Sequence, residues 1–302
     1  VAAHMMPAAI GSQVGGSIIR PAGFCGNFAL KPTQGAINRG ERMATSMSTH
    51  GMHAGSIEDM WQASIEIARR AGGDRGSRAL SGPAAPPAAL KPTRVGVLET
   101  EGWARLDEAS RQAFETLLES MAAAGVEIVR RDSSRRLDLL ENAVSEAGRI
   151  CLAITGWEIR WYQRNIVLEK GGGLSARAMA TLERAEAMTL ADYESALTER
   201  RQAQLAHEGI GVEVDALITL SCPGPAPLWA VDVPGEPLAR RPTGDAVFNY
   251  ATSMLFAPSV SVQMIAVGGL PVGVQFAGQQ HEDARRTSFA RWLHASLSPV
   301  SV

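Results

Sequence analysis

The sequence contains few cysteines, little net charge and no long apolar run, and each shortage argues against a class of protein. Its 302 residues include three cysteines, at positions 25, 151 and 222. This is neither an even set nor a pair at metal-ligand spacing, which argues against a disulfide framework and a zinc motif. The net charge is −2 at a pI of about 6.4, so no basic field predicts nucleic-acid binding. No apolar run reaches the roughly 18 residues of a membrane span.

The remaining composition is that of a soluble globular protein. Hydrophobic residues make up 45% and charged residues 20% of the chain, enough to bury a large core. Unpaired cysteines suit a reducing compartment, so we expect a cytoplasmic protein. His50 and His53 lie three positions apart, beside Glu58 and Asp59, but no third histidine or cysteine lies at ligand spacing. We therefore expect no metal and no cofactor.

The most informative segment is glycine-rich and lies near the N-terminus, where residues 11–21 are GSQVGGSIIRP. The apolar residues 8–10 predict the end of a short buried strand, and Gly11 is expected to begin a turn. Gly15 and Gly16 allow backbone conformations that other residues resist, so the hydroxyl of Ser17 is expected to project from the turn. This arrangement predicts a nucleophile loop.

The backbone of the same turn predicts an anion-binding site. Consecutive N–H groups of Val14, Gly15, Gly16 and Ser17 can converge on one point and hold a developing negative charge, as acyl transfer requires. A phosphate cradle is the competing interpretation of these glycines, but no Gly-Lys-Ser/Thr follows them and the dinucleotide spacing is absent.

Three segments together resemble the amidase signature family. The first runs from Gly11 to Gly35 and includes Arg20-Pro21, Phe24-Cys25-Gly26 and LKPTQG at 30–35. The second is DALIT at 215–219, followed by the proline-rich residues 223–227, and the third is GLPVGVQFAG at 269–278. The resemblance spans most of the chain and implies the family's fold and chemistry.

That resemblance implies a serine hydrolase with a Ser–cis-Ser–Lys triad. Ser17 matches the nucleophile, and the N–H groups of Val14 to Ser17 match the oxyanion hole. The bridging serine and the lysine of the family would both precede Val1. We therefore expect residues 1–302 to be the C-terminal part of a single amidase signature domain, an N-terminally truncated member that is nearly inert by itself.

Three positions within the signature need separate interpretation. Many family members carry Asp where this chain has Gln13, which supplies hydrogen bonds without charge. Cys25 has no marked histidine partner and is expected to be a small buried residue rather than a thiol nucleophile. Lys31 is a candidate base for Ser17, but its Lys-Pro-Thr setting favours a structural role.

The rest of the chain alternates strands and helices, which predicts an α/β fold. We expect a mixed, largely parallel β-sheet covered by helices on both faces, because parallel strands need crossover connections. Ser56 is the predicted N-cap of a helix that Gly72 ends. Strands are predicted at 94–98, 126–129, 215–219, 258–263 and 272–277, and helices at 107–124, 244–255 and 281–297, with mostly helical residues over 137–207. Residues 72–93 and 223–242 are predicted connections.

The apolar positions of these elements predict core residues. The predicted core set is Trp61, Val95, Val97, Ile128, Ile218 and Val274. Trp157, Trp161 and Tyr162 lie close together in the helical region and are expected to be buried under a helical layer, with a pocket wall as the alternative.

The predicted function is hydrolysis of a small-molecule amide to a carboxylate and an amine or ammonia through a seryl acyl-enzyme. Two alternatives stay open: the glutaminase-like A subunit of an amidotransferase, and a catalytically inactive truncated scaffold. The expected partner is the small-molecule amide, with no nucleic acid and no membrane, and a homodimer is the candidate assembly.

Overall fold

The computed structural model describes residues 1–40, 46–170, 173–233, 235–239 and 243–302. Among them one sheet is built from β1 (Ala8–Gln13), β2 (Phe28–Lys31), β3 (Thr49–Ala54), β4 (Arg94–Val97), β5 (Glu127–Val129), β6 (Ala216–Leu220), β7 (Ser259–Val267), β8 (Leu270–Ala277) and β9 (Val300–Ser301). The α-helices are α1 (Ile19–Cys25), α2 (Ile57–Ala71), α3 (Glu108–Ala123), α4 (Arg135–Val144), α5 (Ala147–Lys170), α6 (Ala176–Glu186), α7 (Leu190–Ile210), α8 (Tyr250–Met254) and α9 (Asp283–Ser296).

The sheet is mixed, as predicted, but less of it is parallel than expected. Its strand order is β1-β3-β2-β7-β8-β6-β4-β5, with β9 beside β7. Parallel pairing occurs between β4 and β5, between β4 and β6, and between β7 and β9. The other described pairs are antiparallel: β1 with β3, β2 with β3, β2 with β7, β6 with β8, and β7 with β8, which form a hairpin. The expectation of a largely parallel sheet is therefore corrected.

Helices cover both faces of this sheet. Along β6, Ala216, Ile218 and Leu220 pack in one apolar cluster with residues of α2, α3 and α9. Leu217 points the opposite way and packs in a second cluster with residues of α4, α5, α7 and α8. Five of the six predicted core residues are buried, whereas Ile128 is only partly buried because β5 lies at the sheet edge.

Local sequence signals account for helix α2 and the connection that follows it. The Ser56 hydroxyl accepts a hydrogen bond from the Asp59 N–H at 3.0 Å, and Gly72 ends the helix with φ of 72°. Trp61 is fully buried, and its Nε1 donates to the Pro83 carbonyl at 3.0 Å. The predicted connection 72–93 contains no helix or strand and passes over this side chain.

Several local expectations are wrong. Gly11 lies inside β1 instead of starting a turn, and β1 is an edge strand whose Ile10 is 64% exposed. The helix expected over 244–255 is confined to α8, because residues 244–249 form turns and loop. The expected helix break at residues 171 and 172, and residues 240–242 of the expected loop, lie outside the described residues.

The aromatic residues of α5 are not buried together. Trp161 is 59% exposed and Tyr162 is 47% exposed, so both contradict the prediction of a helical layer above them. Trp157 is partly buried and stacks on Tyr193 at a centroid distance of 5.6 Å. Helices α6 and α7 pack against α5 but leave Trp161 and Tyr162 uncovered.

Candidate active site

Ser17 lies at a cavity, on the turn that joins β1 to α1. The turn spans Val14 to Ser17, and α1 begins two residues after the serine. Ser17 is exposed, and the cavity in front of it has a volume of about 190 Å³. The cavity is lined by Val14, Gly15, Gly16, Ser17, Arg20, Cys151, Leu152, Thr155, Ala246 and Tyr250. The structure thus brings all the predicted nucleophile and oxyanion residues to one cavity.

The buried side chain of Gln13 stabilises this turn through hydrogen bonds. Its Oε1 accepts hydrogen bonds from the N–H groups of Ile18 and Ile19, at 2.8 and 3.0 Å. Its Nε2 donates to Ser253 Oγ at 2.9 Å, and that hydroxyl donates to the Gly15 carbonyl at 2.9 Å. Gln13 and Ser253 therefore fix both ends of the turn through four hydrogen bonds.

Within the described part of the chain, the N–H groups of the turn are not bound to neighbouring carbonyls. Outside regular helices and strands, no hydrogen bond between described residues has the N–H of Gly15, Gly16 or Ser17 as its donor. Their Ile18 and Ile19 neighbours are already bound to Gln13, which keeps the chain bent at this point. The turn therefore has the composition and the unpaired donors that an oxyanion site needs.

Close packing explains why two glycines precede the serine. A Cβ atom added to Gly15 would lie 2.7 Å from Cε1 of Tyr250, and one added to Gly16 would lie 2.8 Å from Oδ1 of Asn249. Real Cβ atoms do not approach other atoms this closely. Neither glycine has a positive φ, so the backbone freedom expected from the sequence is not what this turn uses. A side chain is excluded there by packing against residues 249 and 250, at the start of α8.

The opposite wall of the cavity comes from α5 and was not predicted residue by residue. Cys151 and Thr155 lie one helical turn apart there. Cys151 Sγ donates to the Tyr250 carbonyl at 3.4 Å, and burial raises the pKa of its thiol, so it is held as a neutral thiol. Thr155 Oγ1 has no hydrogen-bond partner among the described residues. No local motif marks either residue, because a helix wall is recognisable only once it is packed.

Neither Cys25, the alternative nucleophile, nor Lys31, the alternative base, lines the cavity. Lys31 is buried in β2, where its Nζ donates to the carbonyls of Ala257 and Pro32. Burial lowers the pKa of Lys31 to about 8, against the attraction of Asp283. These contacts support the structural role that was predicted for it. Cys25 is exposed at the end of α1, so the expectation that it is buried is wrong.

The structure offers no cluster for a metal ion within the described residues. His50 and His53 both lie on β3, and His53 Nδ1 is 3.1 Å from Asn27 Nδ2. Groups of three or more His, Cys, Asp or Glu side chains suited to a metal were not found in the described part of the chain. Nor does any described helix combine the length and apolar character needed to cross a membrane.

Comparison with known proteins assigns the family. The sequence profile described as Amidase matches residues 1–286. The chain belongs to the amidase signature family. A relative is the A subunit of the glutamyl-tRNA(Gln) amidotransferase of Thermus thermophilus, which is 27% identical over 313 residues, or 94% of this chain and 63% of that protein. Another relative is the 2-amino-5-chloromuconic acid deaminase of Comamonas testosteroni, 26% identical over 96% of this chain and 60% of its own length.

Solved structures of amidase signature proteins have the same fold. A crystal structure of an amidase superimposes with a TM-score of 0.77 at 25% identity, covering 96% of this chain and 63% of that one. This amidase family member therefore spans about three fifths of the length of the relatives named here.

Proposed function

We propose that this protein hydrolyses the carbon–nitrogen bond of small-molecule amides, with Ser17 as the nucleophile and the N–H groups of Val14, Gly15, Gly16 and Ser17 as the oxyanion hole. The observation that carries the proposal is the exposed Ser17 on a turn with unpaired N–H donors, facing a cavity of about 190 Å³. The cavity size suits a small amide. Residues 1–302 are proposed to belong to one amidase signature domain.

The chemistry that this geometry supports is acyl transfer in two stages. Ser17 Oγ attacks the amide carbonyl carbon and gives its proton to a base, while the carbonyl oxygen becomes an oxyanion held by the turn. The carbon–nitrogen bond then breaks, and the proton passes to the nitrogen, which leaves as an amine or ammonia. Water attacks the acyl-serine, so that a carboxylate is released and Ser17 regains its proton.

The base is the part of this mechanism that the cavity does not supply. Its described lining contains no lysine and no serine other than Ser17. Arg20 stays protonated at ordinary pH, and the pKa of Cys151 is raised, so neither can accept the proton. The family resemblance assigns this role to a lysine acting through a bridging serine, and we propose the same pair for the full-length protein.

Glutamine hydrolysis that supplies ammonia to an amidotransferase is the second candidate, favoured by the Thermus relative named above. Turnover of glutamine without partner proteins, compared with turnover of simple aliphatic amides, separates the two candidates. Preference for glutamine supports the amidotransferase role, and preference for simple amides supports the free amidase. A cytoplasmic location and a homodimeric assembly complete the proposal, and light scattering coupled to gel filtration tests the dimer.

Labelling with a serine-directed phosphonate tests the assignment of Ser17. The full-length product of the gene is treated with the probe, the 302-residue chain is treated in parallel, and the modified residue is located by mass spectrometry. We expect a phosphonate on Ser17 of the full-length product and none in Ser17→Ala, which also loses amide hydrolysis. Absence of labelling would contradict the proposal and favour an inactive scaffold. Labelling that persists in Ser17→Ala would contradict it differently, because another residue would then be the nucleophile.

A further inference from the structure

A second concavity adjoins the candidate active site, on the other side of Leu152. This groove, between α5 and α6, has a volume of about 340 Å³. It is lined by Arg149, Leu152, Ala153, Gly156, Thr181, Arg184, Ala185 and Met188. Leu152 lines both the groove and the cavity of Ser17, and its side chain is 50% exposed. The two spaces therefore share a wall residue.

The geometry of α5 makes the two spaces neighbours around one helix. Successive residues turn by about 100°, so Leu152 lies about 60° from Thr155, which faces the cavity, and about 40° from Gly156, which faces the groove. An elongated molecule can thus follow the helix surface from one space into the other by passing over Leu152.

The floor of the groove is apolar because small residues let the two helices approach. A Cβ atom added to Gly156 would lie 3.4 Å from the Cβ of Ala185 on α6. Ala153 and Met188 complete an apolar surface that suits an alkyl chain better than a polar one.

Among the described residues, one of the two arginines that line the groove has no carboxylate partner. Arg149 is neutralised by ion pairs with Glu146, at 2.5 Å, and with Glu199. Arg184 donates to Thr181 Oγ1 at 3.4 Å, and among the described residues no carboxylate lies within ion-pair distance of it. Arg184 is therefore the guanidinium of this groove that is available to an anionic ligand.

We propose that the groove binds the distal part of the amide substrate, and that this part is an apolar chain ending in a carboxylate that pairs with Arg184. This inference rests on the proposed function, since it places the reacting carbonyl at Ser17. It names the substrate class as amides with an aliphatic chain and a remote carboxylate, of which the half-amide of a dicarboxylic acid is the simplest member.

Binding of a matched pair of ligands tests this proposal without requiring turnover. Adipamic acid and hexanamide have the same chain length and the same amide, and only the first has a terminal carboxylate. In ligand-observed NMR titrations of the 302-residue chain, we expect adipamic acid to bind about tenfold more tightly than hexanamide. Arg184→Gln should reduce that ratio to near one.

Two further variants distinguish binding in the groove from the loss of any surface arginine and test the passage between the two spaces. Arg164→Gln removes an arginine of α5 that pairs with Glu186 at 2.6 Å outside the groove lining, and it should keep the ratio. Leu152→Trp narrows the passage between the two spaces and should weaken both ligands. Equal affinities in the parent chain, or a ratio that survives Arg184→Gln, would overturn the proposal. Phosphonate labelling of Ser17 without a preference for the carboxylate ligand would overturn only the proposed role of the groove. A preference for the carboxylate ligand without labelling of Ser17 would overturn only the proposed role of Ser17.

Discussion

At the scale of single residues, Gln13 makes three of the four hydrogen bonds that hold the turn of the candidate site. It is buried, and as a neutral amide it both accepts from the turn and donates to Ser253. A carboxylate, which the resemblance leads one to expect here, could accept from Ile18 and Ile19 but could not donate. The hydrogen-bonding groups around position 13 therefore suit the neutral side chain of Gln better than a carboxylate.

Gln13→Glu tests this interpretation. Ser253 Oγ already directs its proton to the Gly15 carbonyl, so an ionised Glu would place two oxygen acceptors together without a proton between them. We expect a loss of about 1–3 kcal/mol in the free energy of unfolding, measured in urea, together with slower phosphonate labelling of Ser17 in the full-length product. Adding Ser253→Ala removes the conflicting oxygen, so the double variant should be less destabilised than the sum of the two single variants. Additive losses would show that the two side chains act independently.

At the scale of elements, the turn, α5 and α8 meet at the ring of Tyr250. The ring lies against Gly15 on one side, and a Cβ atom added to Gly148 of α5 would lie 3.3 Å from its Cδ2 atom on the other. The ring thus packs between two glycines. The position of the turn that carries Ser17 thus depends on how a short helix from the C-terminal half of the chain packs.

Gly15→Ala should therefore be costly, and Tyr250→Ala should compensate for it. The added methyl group would overlap the ring at 2.7 Å, and overpacking of this kind costs about 1–3 kcal/mol of stability. We expect thermal unfolding of Gly15→Ala at a lower temperature than that of the parent chain, and a smaller effect of the same substitution in a Tyr250→Ala background. If Gly15→Ala is equally destabilising in both backgrounds, overlap with the Tyr250 ring does not account for the loss of stability.

At the scale of the whole molecule, buried polar residues of α7, α9 and the segment that follows β2 lie close together. Asp283 accepts from the N–H and the hydroxyl of Thr33, at 2.8 and 2.7 Å. His207 is buried nearby, and no described residue is a hydrogen-bond partner of its Nε2. Burial, with the positive charges of Arg286 and Lys31, lowers the pKa of His207 to about 4.

This pKa predicts a loss of stability in mild acid. Between pH 6.5 and about 4 the unfolded chain binds a proton at His207 that the folded chain does not, so the contribution of His207 is complete above pH 6.5 and is lost as the pH falls. Going from about pH 7.5 to about pH 5, the parent chain should lose about 2 kcal/mol more in the free energy of unfolding than His207→Leu.

Urea unfolding of both chains at the two pH values measures this difference. The comparison cancels groups that both chains share, such as Glu141, whose pKa burial raises to about 7 and whose effect has the opposite sign. Equal pH dependence of the parent chain and His207→Leu would show that His207 is not buried in its neutral form.

The sequence alone was sufficient for features that depend on neighbouring residues. The N-cap at Ser56, the strand–helix–strand pattern over residues 94–129 and the glycine-rich turn before Ser17 are local signals, because capping, periodicity and turn conformation involve residues a few positions apart. The resemblance to the amidase signature family rested on the same kind of signal, and comparison with known proteins confirmed it.

Only the tertiary structure decided what surrounds Ser17 and which faces are covered. Gln13 and Ser253 are 240 positions apart, and the cavity wall of α5 lies more than 130 residues from the turn it faces. Trp161 is exposed and Ile128 only partly buried, although both belong to apolar patterns. Periodicity shows which side of an element is apolar, but burial depends on whether another element packs there, and that contact is made by residues remote in the chain.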